Sequence, residues 1–524
     1  MMEVLPVVSS LANLPNSAYW LTLLVLGYFA LLWLMANWSS NQSHSNSSFF
    51  TADRNANWFL VAFGMIGTSL SGVTFISIPG QVGTGSAFGY FQIALGYLVG
   101  YWIIAGVLLP LYYRLQLVSI YQFIGQRFGR QAYLTASLLF MLSRTLGATL
   151  RLYLTTYILH VFIFSQLGLP FVAVAVISLL LIWLYTHRGG IKSIVWTDTF
   201  QTAFMLLAMV FTIVFILQSL DLSPLGAWEA LGEAKLNQIF FFEEGWTNPN
   251  NFFKQFLSGV FICISMTGLD QDMMQKNLSC RNLGEAQKNM LVFSGILLLV
   301  NFAFLVLGGL LWLYAQQLAP AAAEAAQGAG DRLYPRLAFE FFPVSIGLLF
   351  IIGLIAAAYS SADSSMTALT TSFCVDVLGM KVASPQAPKP QQANLLDDAE
   401  EPRLQRLNEE QNERLRRRVH QAFALVFFLC LLVFYYLDDA SVINVLFRMA
   451  SYTYGPLLGL FVFGLWSAHS VRDKAVPWIA IAAPGLSYVI QYYSPSFGYV
   501  FGFELLLLNA LLTMLGLWLA RLRA

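Results

Sequence analysis

The stretch Ala356-Ala357-Ala358-Tyr359-Ser360-Ser361-Ala362-Asp363-Ser364-Ser365 holds the densest set of chemically competent groups in the chain. Ser360, Ser361, Ser364 and Ser365 recur at i, i+1, i+4 and i+5, which sets them on one face of a helix. Hydroxyls, a carboxylate and freed carbonyls are hard oxygen donors, suited to a small hard cation such as Na+. The run is otherwise apolar, and a carboxylate in such a setting is costly unless paired, which marks Asp363 as functional. The competing reading of the serines is local, each hydroxyl bonding back to the preceding turn. A second acid, Asp198, lies in Gly189-Gly190-Ile191-Lys192-Ser193-Ile194-Val195-Trp196-Thr197-Asp198-Thr199-Phe200-Gln201. Two roles are open to it: ion ligand, or a helix-start carboxylate favoured by the macrodipole.

A different chemistry is carried by Arg144 and Arg151, two turns apart on one face of an apolar run. An intramembrane Arg needs an anionic partner, and its planar fork suits a carboxylate bidentately. For Arg144 that partner is either a carboxylate on a bound solute or the side chain of Asp270 or Asp272; Arg448 shares the ambiguity. Ser69, Ser71, Thr74 and Gln92 are the accompanying hydrogen-bonding groups.

These residues must be placed by helices. Of 524 residues, 58% are hydrophobic and only 10% are charged. A soluble chain of this length needs more charge to cover its surface; a hydrocarbon solvent removes that need. Aromatic residues reach 15%, as where Trp and Tyr settle at headgroup level. The net charge of +1, with basic residues scattered between apolar runs, gives no sign of nucleic-acid binding. Cys263, Cys280, Cys374 and Cys430 show no metal-type spacing and read as reduced packing residues. A bilayer core needs about 20 apolar residues per helix. Thirteen such cores occur, at 18–38, 58–82, 88–113, 132–162, 171–185, 194–217, 256–274, 291–315, 344–378, 419–437, 442–466, 475–493 and 501–520. The expected fold is all-α: a polytopic membrane protein with 13 transmembrane helices. The first seventeen residues lack the basic start and cleavage site of a signal peptide, so the first run is expected to persist as a helix.

Lys and Arg set the orientation. Arg54, Arg114, Arg127, Arg130, Arg188, Lys192, Lys276, Arg281 and Lys288 fall in connections of one parity, as do the cluster from Arg403 to Arg418, Arg472, Lys474, Arg521 and Arg523. The opposite connections hold only Lys235, Lys254, Arg332 and Arg336. The N-terminus is therefore expected outside the cell membrane and the C-terminus in the cytoplasm. Three connections are long. The one at 220–255 carries Phe240 to Phe242 and two acids, Glu243 and Glu244; that at 316–342 is Ala-rich and expected to hold a short external helix. The third, 381–418, is Pro-, Gln- and charge-rich and reads as a partly disordered cytoplasmic linker with room for regulatory docking.

Two spans depart from regular helix composition. The second carries Gly64, Gly67, Thr68, Ser69, Ser71, Gly72 and Thr74 before Pro79-Gly80; the seventh carries Ser265, Met266, Thr267 and Gly268, then Asp270, Gln271 and Asp272. Non-helical backbone at membrane depth is tolerated only where it lines a cavity. Two broken helices five spans apart fit a five-plus-five inverted repeat, in which half-helix ends bind ions and substrate at the midplane. The expected division of the single transmembrane domain, 1–524, is an extra N-terminal helix at 18–38, repeats at 56–218 and 253–467 enclosing the 381–418 linker, and two C-terminal helices at 475–521. Gly83, Gly85 and Gly89 read instead as close-packing positions.

The Gly189 to Gln201 stretch resembles the GG-x-K-x-x-x-W-T-D-x-x-Q signature of the sodium/solute symporters, which share the LeuT-type inverted repeat. Helix 9 resembles the serine-rich sodium-binding helix of that family, and Asp270 to Lys276 followed by Glu285-Ala286-Gln287 resembles its motif after the seventh span. The resemblance implies one sodium held by carbonyls of Gly67, Leu70 and Ala357 and the hydroxyls of Ser360 and Ser361. A second sodium, present in some members, would use Asp198, Ser360, Asp363 and Ser364; Asp363 stands where Ser or Thr is commoner, which strengthens that site or lets a proton replace its ion. The pocket set Ser69, Ser71, Thr74, Gln92 and Arg144 resembles the sialic-acid-transporting branch, and the Lys of the sugar branch has no counterpart in span eight. The implied function is sodium-coupled symport, by alternating access, of a small carboxylate-bearing solute such as sialic acid. A neutral sugar, an amino acid or a monocarboxylate is the alternative cargo, since fold does not choose the solute. A channel or a transporter-like sensor is the rival class; no repeated pore-lining ring is visible. An enzyme is not expected, as no H-E-x-x-H or nucleophile-elbow motif occurs and His44, His160, His187, His420 and His469 are dispersed.

Overall fold

The computed structural model describes residues 11, 17–40, 49–50, 52–243, 247–327, 330–380, 400–437 and 442–522. The chain's start, residues 381–399 of the expected linker, Glu244 and Arg523 lie outside them. The described residues are helical throughout, with two isolated β-bridges, Ala56 to Cys280 and Val471 to Arg521.

The principal helices are α1 (Ser17–Ser40), α2 (Trp58–Gln81), α3 (Tyr90–Ile103), α4 (Arg130–Phe162), α5 (Phe171–Ser219), α6 (Phe252–Cys263), α7 (Gln271–Asn277) and α8 (Leu283–Leu318). They continue with α9 (Val344–Ser372), α10 (Glu400–Leu437), α11 (Val442–Trp466), α12 (Val476–Tyr493) and α13 (Leu505–Leu519). Among the described residues eight helices are long and apolar enough to cross a membrane, and the pair α6–α7, bent by 70°, makes a ninth. Two shorter apolar helices are Phe171–Thr186 and Leu505–Leu519. Helix α4 stands outside that set, with Arg144 and Arg151 in its middle. Each expected core overlaps a helix, though 256–274 runs across the bend before α7 and 501–504 precede α13; the fifth and sixth share α5, which is interrupted at Gly190 (φ 52°, ψ −145°).

Helix α9 is the axis of the core. All its residues from Gly353 to Ser372 are buried, and it packs against α5, α2 and α4. Peripheral helices instead present large apolar side chains outward: Trp20 of α1, Tyr436 of α10 and Trp478 of α12 are 66%, 78% and 73% exposed. So much outward apolar surface is what a hydrocarbon solvent accepts and water does not. Close packing of backbones holds α3 on α6. A Cβ on Gly96 would lie 2.2 Å from the Phe256 carbonyl oxygen, and one on Gly259 would lie 2.3 Å from that of Ile93. Only hydrogen fits there.

One expectation is extended and one needs correction. Within 381–418, helix α10 starts at Glu400 and runs without a break into the tenth expected span, which adds a helix to the linker reading without contradicting it. Lys276, counted with the loop cations, is 1% exposed in the centre of the molecule. The Ala-rich connection does form a short helix, Pro320–Ala325.

Candidate functional site

Helix α2 begins with Asn57, whose side chain accepts from the Phe59 N–H at 2.9 Å, and it runs regularly until Ser71. There φ is 50° and ψ 169°, a conformation an L-residue adopts only when its surroundings enforce it. Those surroundings are tight: a Cβ on the next residue, Gly72, would meet Thr155 Oγ1 at 2.7 Å and Ala358 Cβ at 3.2 Å. The break thus lies where α2 crosses α4 and α9, and it withdraws carbonyls of the preceding turn from the helical ladder.

The second interruption follows α6. After the turn Ile264–Gly268 the chain bends, and Asp270 caps α7 by accepting from the N–H groups of Asp272 (2.9 Å) and Met273 (3.3 Å). Tyrosines satisfy the freed carbonyls: Tyr112 donates to Gly268 O at 2.9 Å and Tyr121 to Leu269 O at 3.0 Å.

Between the breaks lies a buried polar centre. Asp198, on α5 beyond Gly190, accepts from Ser360 Oγ at 2.6 Å through Oδ1. Through Oδ2 it accepts from Lys276 Nζ at 2.6 Å and Thr68 Oγ1 at 3.1 Å, and Lys276 also donates to Thr68. Gly67 N donates to Thr202 Oγ1 at 3.0 Å, and a Cβ on Gly67 would stand 3.5 Å from Ser360 Oγ. The structure therefore brings Gly67 and Ser360 together, with Leu70, Ala357 and Ser361 also buried on the two helices that meet there. The four-residue set Asp198, Ser360, Asp363 and Ser364 is divided. Ser360 is on Asp198, the Ser364 hydroxyl donates to Asp272, and Asp363 accepts the Ser364 N–H through Oδ1 with the Tyr185 hydroxyl beside its carboxylate.

Arg144 is fully engaged by protein. It pairs with Asp272, lies 3.5 Å from Asp270 Oδ2 and donates to Ser365 Oγ at 2.8 Å, while the Tyr454 hydroxyl donates to Asp270. Of its two candidate partners the structure shows the acids of α7, and Arg144 also lines the central cavity. Gln92 is engaged by backbone. Its amide donates to Asn250 O at 3.0 Å and accepts from Phe241 N at 3.2 Å, so it binds the 238–251 connection and stands off the central cavity.

That cavity, about 80 Å³, is lined by Ser69, Ser71 and Thr74 from the break, by Tyr97 and Tyr101 of α3, and by both Arg144 and Arg151 of α4. Arg151 is 7% exposed, donates to Ser361 Oγ at 3.3 Å, and its Nε has no partner. Tyr90 and Phe447 line both this cavity and a second one of about 510 Å³ that holds Arg448, Gln255 and Gln491. Lys276 and Thr202 belong to this polar centre and were not singled out from the sequence, whereas Thr68 was named only as part of the broken span. The signal for Lys276 was its place six residues after an intramembrane Asp on a helix too short to reach the surface.

A family model described as the sodium:solute symporter family matches residues 49–391. The sodium/sialic acid symporter SiaT of Proteus mirabilis is 25% identical over 465 residues, covering 87% of each chain. The sodium/sialic acid symporter NanT of Aliivibrio fischeri is 24% identical over 362 residues, covering 67% of this chain and 68% of its own. The rabbit (Oryctolagus cuniculus) sodium-dependent multivitamin transporter is 24% identical over 430 residues, 81% of this chain and 62% of its own. Among solved structures, a substrate-bound, outward-open Na+-coupled sialic acid symporter superposes with a TM-score of 0.77 at 21% identity, covering 95% of this chain and 97% of that one. At that identity the likeness establishes a shared fold. With a family model spanning residues 49–391, this multi-pass membrane protein belongs to the sodium:solute symporter family.

Proposed function

We propose that this chain couples the inward movement of sodium to uptake of sialic acid or a closely related carboxylate-bearing sugar. The observation that carries the reading is Arg151. Burying a guanidinium with an unpartnered Nε is costly, and a solute carboxylate arriving beside Ser69, Ser71 and Thr74 supplies the missing acceptor. Two curated relatives that span most of the chain are sialic acid symporters. Sodium is assigned to carbonyls of Gly67, Leu70 and Ala357 and the hydroxyls of Ser360 and Ser361, where the strained backbone of α2 meets α9.

The residues then divide the work. Sodium draws the α2 carbonyls and the α9 hydroxyls into one coordination shell, which fixes the hydroxyls of Ser69, Ser71 and Thr74 for the solute. Arg144 holds α4, α7, α9 and α11 in register through Asp270, Asp272, Ser365 and Tyr454. A central space of about 80 Å³ is below the roughly 300–1,000 Å³ of small-molecule sites. Solute entry therefore requires Tyr90 and Phe447 to part and join the two cavities.

The finer architecture belongs to the same proposal: thirteen spans, repeats at 56–218 and 253–467, an N-terminus outside, and a C-terminus in the cytoplasm, of the inner membrane if the cell is Gram-negative. The Lys and Arg bias and the two interruptions at corresponding positions support it.

Solute binding by the purified chain tests the reading. Sialic acid in Na+ buffer is expected to raise the melting temperature, whereas its carboxylate-amidated analogue and sialic acid in K+ buffer are not. An equal shift by the amide would remove the carboxylate recognition.

A further inference from the structure

The larger cavity lies at the Gln81 end of α2, where Gln81 and Thr84 line it. A path of alternating access must also open at the opposite, Trp58 end. That end is occupied by Phe49 and Phe50, which precede α2 and are 2% and 1% exposed. Their rings meet edge to face at 5.5 Å, and with Cys374, Val375 and Val419 they form an apolar cluster separate from the main core.

Three elements hold this dipeptide. At the interruption of α5, a Cβ on Gly190 would stand 2.5 Å from the Phe49 carbonyl oxygen and 2.6 Å from its ring, so only glycine admits the chain there. From α7, Gln275 Nε2 donates to the Phe50 carbonyl and, at 3.0 Å, to Thr371 Oγ1 of α9. From α10, the Arg416 guanidinium carbon lies 4.1 Å from the centroid of the Phe49 ring. Arg416 is 2% exposed, and a cation is held over a ring most firmly where water is excluded. Gln275 directly precedes Lys276, the partner of Asp198, so the dipeptide and the polar centre share α7. The link from the dipeptide to α2 is strained. Ala52 (φ 48°) and Arg54 (φ 50°) both occupy left-handed backbone, which residues with a side chain hold only when their surroundings enforce it. Withdrawal of the two rings would relax that link, so the seated state is held against a backbone that favours release.

We propose that Phe49 and Phe50 form a plug over the cytoplasmic exit of the sodium and solute path, latched by Arg416, and that its withdrawal opens the inward-facing state. The α10 extension, which carries Arg416, thereby becomes part of the gating machinery. The inference rests on the transport reading and the topology above, but its test needs no solute.

Two native thiols report on the two ends. Cys374, 0% exposed, packs in the cluster of the two rings, and Cys263, 3% exposed, lines the central cavity. Labelling of the purified full-length chain by N-ethylmaleimide in Na+ buffer, resolved by peptide mass spectrometry, gives both rates. Phe49→Ala is expected to speed labelling of Cys374 about tenfold or more and to leave Cys263 no faster. Arg416→Gln, which keeps the rings, is expected to speed Cys374 about three- to tenfold, the effect of losing a desolvated cation–ring contact. An unchanged Cys374 rate in Phe49→Ala overturns the plug, and one in Arg416→Gln overturns the latch. A rise at both cysteines marks general loosening and overturns both. If Phe49→Ala does not fold, Phe49→Leu, which keeps apolar bulk but removes the seat of Arg416, is read by the same outcomes. Selective labelling of Cys374 in a chain without sodium-dependent uptake would instead count against the transport reading alone.

Discussion

Arg144 and Arg151 lie on one face of α4, yet their surroundings give them opposite fates. Arg144 meets two carboxylates, and removing it would take away their paired cation while leaving them only neutral hydrogen-bond donors. Breaking a buried pair in this way costs about 3–5 kcal/mol. Arg144→Ala is therefore expected to lower the melting temperature and the folded yield, measured by thermal unfolding monitored on a sizing column. Normal melting with selective loss of solute affinity would return Arg144 to the solute. Arg151→Ala removes a buried charged partner of the solute, worth about 2 kcal/mol or more, so the half-saturation concentration rises roughly 30-fold or more. Spacing of seven could place both arginines on one face, but it could not say which acid reaches which arginine. That depends on how α7 is turned by the bend after Gly268, a property of tertiary packing. Lys276 was hidden for the same reason: positive charge near a span end reads as cytoplasmic until the bend folds it inward.

Breaks and close contacts decide behaviour at the scale of elements. Clustered Gly, Ser and Thr made both interruptions legible, because only a cavity-lining segment tolerates so many backbone-competing groups in an apolar run. The close approach of α3 and α6 was not legible, since Gly96 and Gly259 lie far apart in sequence and carry no local signal. Gly96→Val would drive a side chain into the Phe256 carbonyl, so we expect α3 to separate from α6 and the protein to elute as aggregate in detergent. Monodisperse elution with unchanged melting would show the contact is not needed. The α10 extension carried no clear helical signal, because Pro, Gln and charge also mark disorder. Its charges are spaced for a helix, with Glu413 to Arg417 at 2.6 Å and Glu410 to Arg414 at 3.8 Å. Each such pair contributes only about 0.2–0.5 kcal/mol, so the helix continues because the following span has already nucleated it.

At the scale of the molecule, apolar helices with outward Trp, Tyr and Leu enclose a core of buried charged side chains. Composition alone exposed that division, and the serine-rich helix with Asp198 pointed to sodium; the identity of the pocket residues awaited the packing of α2, α4 and α9. Two sodium ions moving with a monoanionic solute carry one net charge. A potential of 100 mV then supplies about 2.3 kcal/mol, a factor of about 40 in accumulation, and the sodium gradient adds to it. The most direct test is uptake of labelled sialic acid by proteoliposomes under an inward sodium gradient. Accumulation above the external concentration is predicted, abolished when potassium replaces sodium and enhanced by an inside-negative potential. Uptake that merely equilibrates, or that proceeds equally without sodium, would contradict the account.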